Sequence, residues 1–125
     1  MKPLEGIKVI DLTHMLAGPY AGMVIADLGA EVVKVEPLDT GEMTRGLLAE
    51  DPNNSFKGFG AYFLTLNRNK KSVSLDLKNQ DGLNVFYDLV KTADVVLNNF
   101  SAGVVKIIIT LNIFILLILN LFLFT

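Results

Sequence analysis

Four stretches of this chain carry residues whose types and spacing could do chemistry. The first, Thr13–Gly18, runs from an apolar segment into Pro19, a residue suited to the opening turn of a helix. The free N–H groups at such a helix start favour an anion such as a phosphate. Ala17 and Gly18 would let the backbone approach that anion closely. The second is Glu36, which stands where a dinucleotide fold places its ribose-binding acid. The glycine pattern here is A-G-P-Y-A-G rather than G-x-G-x-x-G, so tight strand–helix packing outweighs a nicotinamide or flavin site. The third is the basic run Arg68, Lys70 and Lys71, with Lys78 beyond it. It can meet phosphates, although a solvated surface is the more ordinary use of such a run. The fourth is Asn98–Gly103, a loop of small and polar residues around Phe100. His14 sits at a strand end, a position suited to a catalytic base. No acid lies in its own segment, so a loop or capping role is expected. Asp11 and Asp27 read as cap or turn groups, and Tyr62 and Phe63 as core. Together these residues suggest a phosphate-bearing ligand at the top of an α/β sheet.

The elements that must position them follow from periodicity. Ile7–Leu12 is a short β-branched run that reads as a buried strand. A helix is expected from Pro19 to Leu28, stopped by Gly29. Glu31–Glu36 reads as a second strand, ended by Pro37. From Leu38 to Ala61 the pattern weakens into a long loop with one helical turn, and a loop of that length is more often functional than idle. Tyr62–Leu66 is a short apolar run, and residues 67–71 a basic link. Ser72–Leu77 alternates as a strand should. Asn79 or Asp81 should cap a helix that reaches Lys91, with Leu83, Phe86, Tyr87 and Val90 on one face. Asp94–Leu97 reads as the last strand. The order β-α-β, loop, β-α-β predicts an α/β fold: a partial Rossmann-like parallel sheet, followed by an apolar, helical tail. In such sheets ligands bind beyond the carboxyl ends of the strands. Thr13–Gly18, Pro37 onward and Asn98–Gly103 all fall there.

Composition narrows the class. The 125 residues make one domain at most. The net charge of −2 gives no general attraction to nucleic acid. With no cysteine and one histidine, disulfides, a Cys nucleophile and a His-rich metal site are excluded, and no metal is expected. The N-terminus has neither a signal-peptide nor a presequence pattern, so the expected setting is cytoplasmic.

The motifs in order go further. They are P-L-E-G-I-K-V-I-D-L-T at 3–13, L-A-G-P-Y-A at 16–21, A-D-L-G-A-E-V-V-K-V-E-P at 26–37 and G-E-M-T-R at 41–45, then N-R-N-K-K-S-V-S-L-D-L-K at 67–78 and A-D-V-V-L-N-N-F at 93–100. This set resembles the amino-terminal part of class III coenzyme A transferases, the CaiB/BaiF family. That family includes formyl-CoA transferase, carnitine CoA-transferases, dicarboxylate transferases and the related α-methylacyl-CoA racemase. The resemblance spans about residues 3–105. It implies CoA contacts at Leu16 and Ala17, at Leu75, Asp76, Leu77 and Lys78, and at Asn99, Phe100 and Ser101. Coenzyme A or an acyl-CoA enters as substrate, with no prosthetic group. A carboxylic acid is the second substrate, and the family forms interlocked homodimers. Some members carry an arginine where this chain has Pro37, so the phosphate contact of that arginine is not carried over. The resemblance implies an aspartate nucleophile that lies beyond the matched motifs. No catalytic residue is therefore assigned here, and no turnover is expected of this chain alone. A CoA-binding or dominant-negative module and a 2-methylacyl-CoA racemase branch are the alternatives.

All 11 Lys and Arg and all 13 Asp and Glu lie at or before Lys106. Residues 107–125 use only Ile, Leu, Phe, Asn and Thr. We expect residues 1–105 to be the amino-terminal part of a CoA-transferase large domain. Residues 106–125 are expected to be an apolar tail read out of frame or from unspliced sequence. The rival expectation is a C-terminal membrane anchor, since 19 helical residues span about 28 Å, near the thickness of a bilayer's hydrocarbon.

Overall fold

The computed structural model of this chain describes residues 1–100 and the strand Leu117–Asn120. Four strands form one parallel sheet in the order β5-β2-β1-β6: β1 (Lys8–Asp11), β2 (Glu31–Glu36), β5 (Lys70–Ser74) and β6 (Val95–Asn98). Leu117–Asn120 adds β7 in parallel beyond β6, with Leu97 opposite Leu119 and Asn98 opposite Asn120. A helical tail was expected over residues 106–125. These four residues are strand instead, and the rest of the tail lies outside the described residues. No helix among the described residues is long and apolar enough to cross a membrane.

The helices pack on the two faces of the sheet. Helix α1 (Ala17–Asp27) links β1 to β2, and Asp27 is followed by Leu28 and then Gly29 in the left-handed region at φ +107. The helix starts two residues before Pro19, which is the third helical residue. A proline is tolerated there because the first-turn N–H groups have no partner inside the helix. Helix α3 (Gln80–Lys91) links β5 to β6, and the Asn79 side chain caps it by accepting from the Asp81 N–H at 2.8 Å. Between β2 and β5 lies a 3₁₀ turn, η1 (Met43–Arg45). A small antiparallel hairpin follows, β3 (Ser55–Phe56) and β4 (Phe59–Gly60), and then α2 (Ala61–Leu66). The stretch expected as loop thus has structure of its own, and the apolar run Tyr62–Leu66 is helical.

Side chains alternate across the sheet. On the α3 side Ile10, Leu12, Val33, Val35 and Val96 pack with Phe86 and Val90 into an apolar core. On the α1 side the lower halves of the strands are apolar, with Val9, Val32 and Leu97 against Ala26 and Ala30. Toward the carboxyl ends that same pleat becomes charged. Asp11, Lys34 and Glu36 are each at most 2 % exposed. Strand β5 explains part of this. It spans Lys70–Ser74, not the expected Ser72–Leu77, with its backbone paired from Lys70 opposite Val32 to Ser74 opposite Glu36. The Lys70 ammonium reaches across the sheet to Asp11 at 2.9 Å.

Candidate ligand site at the carboxyl edge of the sheet

The strand ends converge on one cavity of about 400 Å³. Its walls are Leu12 and His14 after β1, Val35 and Glu36 at the end of β2 with Pro37–Asp39 beyond it, Leu75–Lys78 after β5 and Phe100 after β6. Its floor is the apolar α3-side pleat, continued by Leu75, Leu77 and Phe100. Its rim carries Asp39, Asp76 and Lys78. The Asp76 carboxylate turns inward and accepts from the Lys78 N–H at 2.9 Å, which shapes the 75–78 turn before α3. Gly82, in the first turn of α3, lets that turn lie against the helix, since a Cβ there would overlap the Asp76 carbonyl.

His14 is half-buried at the mouth, its ring 5.3 Å from that of Phe100. Burial lowers its pKa below the usual 6.5, and Lys34 lowers it further, against weaker opposing pulls from Glu42, Asp11 and Glu36. Both effects favour the neutral imidazole. Asn99 holds the backbone of the same residue: its Oδ1 accepts from the His14 N–H and its Nδ2 donates to the His14 carbonyl, both at 2.9 Å. The amide of Asn99 acts as a one-residue strand edge that joins the loops after β1 and β6.

Behind the cavity the α1-side pleat is fully paired. Asp11 meets Lys70 at 2.9 Å and Lys34 at 3.9 Å. Lys70 also donates to the Pro19 carbonyl and to Asn67 Oδ1, which fixes the first turn of α1. Burial pushes the Lys70 pKa down, against the opposing pull of Asp11. Glu36 accepts two bonds from Arg45 at 2.6 and 2.7 Å, one from Ser72 at 2.6 Å and one from the Glu42 N–H at 2.7 Å. Burial pushes the Glu36 pKa up, but these bonds outweigh it and hold the pKa at about 2. The Arg45 guanidinium also stacks 3.9 Å from the ring centroid of Phe63. Glu36 therefore contributes wall to the cavity while its carboxylate is committed to Arg45, Ser72 and Glu42. The ribose-binding role suggested by its position is not what its partners support.

Of the residues expected to touch a ligand, Leu75, Asp76, Leu77, Lys78 and Phe100 line one cavity. Leu16 and Ala17 do not line it. They follow the loop of His14, with Leu16 exposed and Ala17 opening α1. Asn99 serves the His14 backbone, and Ser101 lies outside the described residues. In the basic run, Arg68 pairs with Asp27, Lys71 with Glu31 and Lys70 with Asp11. These cations answer carboxylates of the chain itself. Asp11 is a buried ion-pair centre, not a simple turn group. His14, read as a loop or capping residue, faces the cavity. The signal for the buried network was visible in E-V-V-K-V-E: a lysine and a glutamate two apart, on one pleat of a strand that has no solvent face.

A parallel sheet with helices on both faces, and an apolar cavity with a polar rim at its carboxyl edge, define an open, Rossmann-like α/β domain. Comparison with known proteins places it more narrowly. A family model for CoA-transferase family III matches residues 4–110, and the chain belongs to that family. It is 43 % identical over 103 residues to a formyl-CoA:oxalate CoA-transferase of Rhodopseudomonas palustris, covering 82 % of this chain and 23 % of that protein. A succinyl-CoA:glutarate CoA-transferase of Mus musculus matches at the same identity and coverage. Among solved structures, a CAIB/BAIF family protein from Brucella suis superposes with a TM-score of 0.75 at 38 % identity, covering 86 % of this chain and 28 % of that one. The chain thus spans about a quarter of the length of the relatives it matches.

Proposed function

We propose that residues 1–100 form the coenzyme A-binding wall of a family III CoA-transferase. The observation that carries this reading is the convergence of Leu75–Lys78 and Phe100 on one cavity with His14 and Pro37–Asp39. The apolar floor suits the adenine or pantetheine part of CoA. Lys78 at the rim, exposed and in none of the ion pairs found among the described residues, suits a phosphate. In a full-length member of the family such a wall would hold an acyl-CoA while CoA passes to a carboxylic acid through an aspartyl nucleophile. That nucleophile belongs to another part of the fold, and the described residues bind and orient. The reading also carries a cytoplasmic setting and pairing with a second subunit. Formyl, succinyl and other acyl groups fit it equally, because the cavity faces the carrier, not the acyl group.

Calorimetric titration of the chain with CoA, dephospho-CoA and adenosine tests the reading. Binding of CoA that weakens on loss of the 3′-phosphate is expected. Lys78→Ala should cost about 1 kcal/mol, about fivefold in affinity, with most of the loss screened at high salt. No heat at millimolar CoA would remove the reading.

A further inference from the structure

The segment Thr13–Met15 is held in an unusual way. Its backbone groups, from the Thr13 N–H to the Met15 N–H, are all met by side chains. Asp11 accepts from the Thr13 N–H at 2.8 Å, and the Lys34 ammonium donates to the Thr13 carbonyl at 2.7 Å. Asn99 takes both groups of His14, and Glu42 Oε1 accepts from the Met15 N–H at 3.0 Å. These clamps come from β1, from β2, from the loop after β2 and from the loop after β6. Surface loops ordinarily turn such groups to water or to their own turns. Met15 is also held at φ +66, a left-handed conformation that costs a non-glycine residue about 1 kcal/mol or more.

Burial accounts for the pairing at Thr13, which is fully buried, but not at Met15, which is 47 % exposed, whereas the two charged clamps Lys34 and Glu42 are each 1 % exposed. Buried charge is costly unless geometry and partners are good. Here it fixes the backbone of a loop that runs from buried Thr13 to exposed Met15 beside the cavity mouth. Glu42 is itself fixed, since its N–H donates to Glu36 and its Oε2 accepts from both the N–H and the hydroxyl of Thr44.

We propose that Lys34 and Glu42 are positioning residues that make Thr13–Met15 a rigid platform between β1 and α1, which presents His14 to the ligand cavity. The ligand-facing part rests on the CoA reading above, while the clamp itself does not. Neither residue lines the cavity, yet altering either should weaken binding through the loop.

The test uses the full chain, with amide hydrogen exchange read by NMR and CoA affinity by calorimetry. In the unaltered protein the His14 and Met15 amides should be protected although they lie outside any helix or strand. Exchange at unprotected-loop rates would overturn the clamp. Glu42→Gln keeps the shape but faces Met15 or Thr44 with a donor in place of an acceptor. It should speed Met15 exchange and weaken CoA binding by about tenfold each, the value of one charge-assisted bond. Exchange at Val9 and Val32 should not change. Glu42→Asp keeps the charge but shortens the reach, and should give the same pattern if Glu42→Gln does not fold. Unchanged exchange at both Met15 and Thr44 in the folded variant would refute the clamp, and faster Met15 exchange with unchanged CoA affinity would refute the platform. If the unaltered chain binds no CoA, the proposed function falls, and the exchange data still decide whether the clamp exists.

Discussion

Replacing Arg45 by methionine should reveal how much of the fold rests on one partly buried ion pair. Arg45 gives Glu36 two bonds, at 2.6 and 2.7 Å, and its side chain is 24 % exposed. The Glu36 pKa lies at about 2 against an ordinary 4.5, a fall that corresponds to roughly 3 kcal/mol of favoured ionisation. Part of that comes from Ser72 and the Glu42 N–H, and water screens part of the pair. Against this, the variant leaves a buried carboxylate without its cation and loses the stacking on Phe63, worth about 0.5–1 kcal/mol. The net expectation for Arg45→Met is a loss of about 2–3 kcal/mol at neutral pH. The pH dependence identifies the cause. A carboxyl whose folded pKa is depressed contributes stability that is fully present above its unfolded pKa of about 4.5 and is lost as pH falls toward about 2. In Arg45→Met the folded pKa rises, so the gap between the two proteins should narrow as pH falls through that window. Urea unfolding followed by far-ultraviolet circular dichroism, from about pH 7 to about pH 3, measures it. A gap below about 0.5 kcal/mol at pH 7, or one equally wide at both ends, would refute the electrostatic argument.

Three further outcomes are expected. Gly82→Ala should destabilise the protein and weaken CoA binding, although alanine is ordinarily about 1 kcal/mol better than glycine inside a helix. The added Cβ would overlap the Asp76 carbonyl and displace the cavity-lining turn, so a stabilised variant in thermal melts would count against this packing. His14 should titrate below 6.5 in the folded chain. Being the one histidine, it is read directly from its imidazole proton signals, and a midpoint above 6.5 would contradict its burial beside Lys34. Gly22→Ala should cost more than a typical surface change, because its Cβ would stand 2.7 Å from Asp11 Oδ2 and 3.1 Å from Lys70 Nζ. Its expected signature is a lower urea midpoint with an unchanged slope.

Much of the sheet was legible because β1, β2 and β6 are short and largely buried. I-K-V-I-D-L and E-V-V-K-V-E have nearly the observed bounds, and Asn79 caps α3 by a rule that acts within three residues. Errors arose where distant residues decide. In the basic run Arg68 and Lys71 are exposed as read, but nothing near Lys70 shows that it is buried against Asp11. The hairpin and α2 were missed because η1, Arg45 and the aromatic rings Phe59 and Phe63 form a small cluster from weakly patterned residues. For the site, strand-end reasoning reached the loop of Phe100, and the resemblance added Leu75–Lys78. It could not show that Asn99 serves the His14 backbone or that His14 faces the cavity.

The two unlike pleats of the sheet also act as a check on alignment during folding. If β2 slid by one residue against its neighbours, Lys34 and Glu36 would enter the layer of Phe86 and Val90. Val33 and Val35 would then face Asp11 and Lys70. Each stranded charge would cost several kcal/mol, more than a domain of this size can spare. An entirely apolar strand would tolerate such a slip far better. The buried charges behind the cavity therefore also proofread the sheet. They make its misaligned forms unstable, so that the chain completes only the register in which every charge meets its partner.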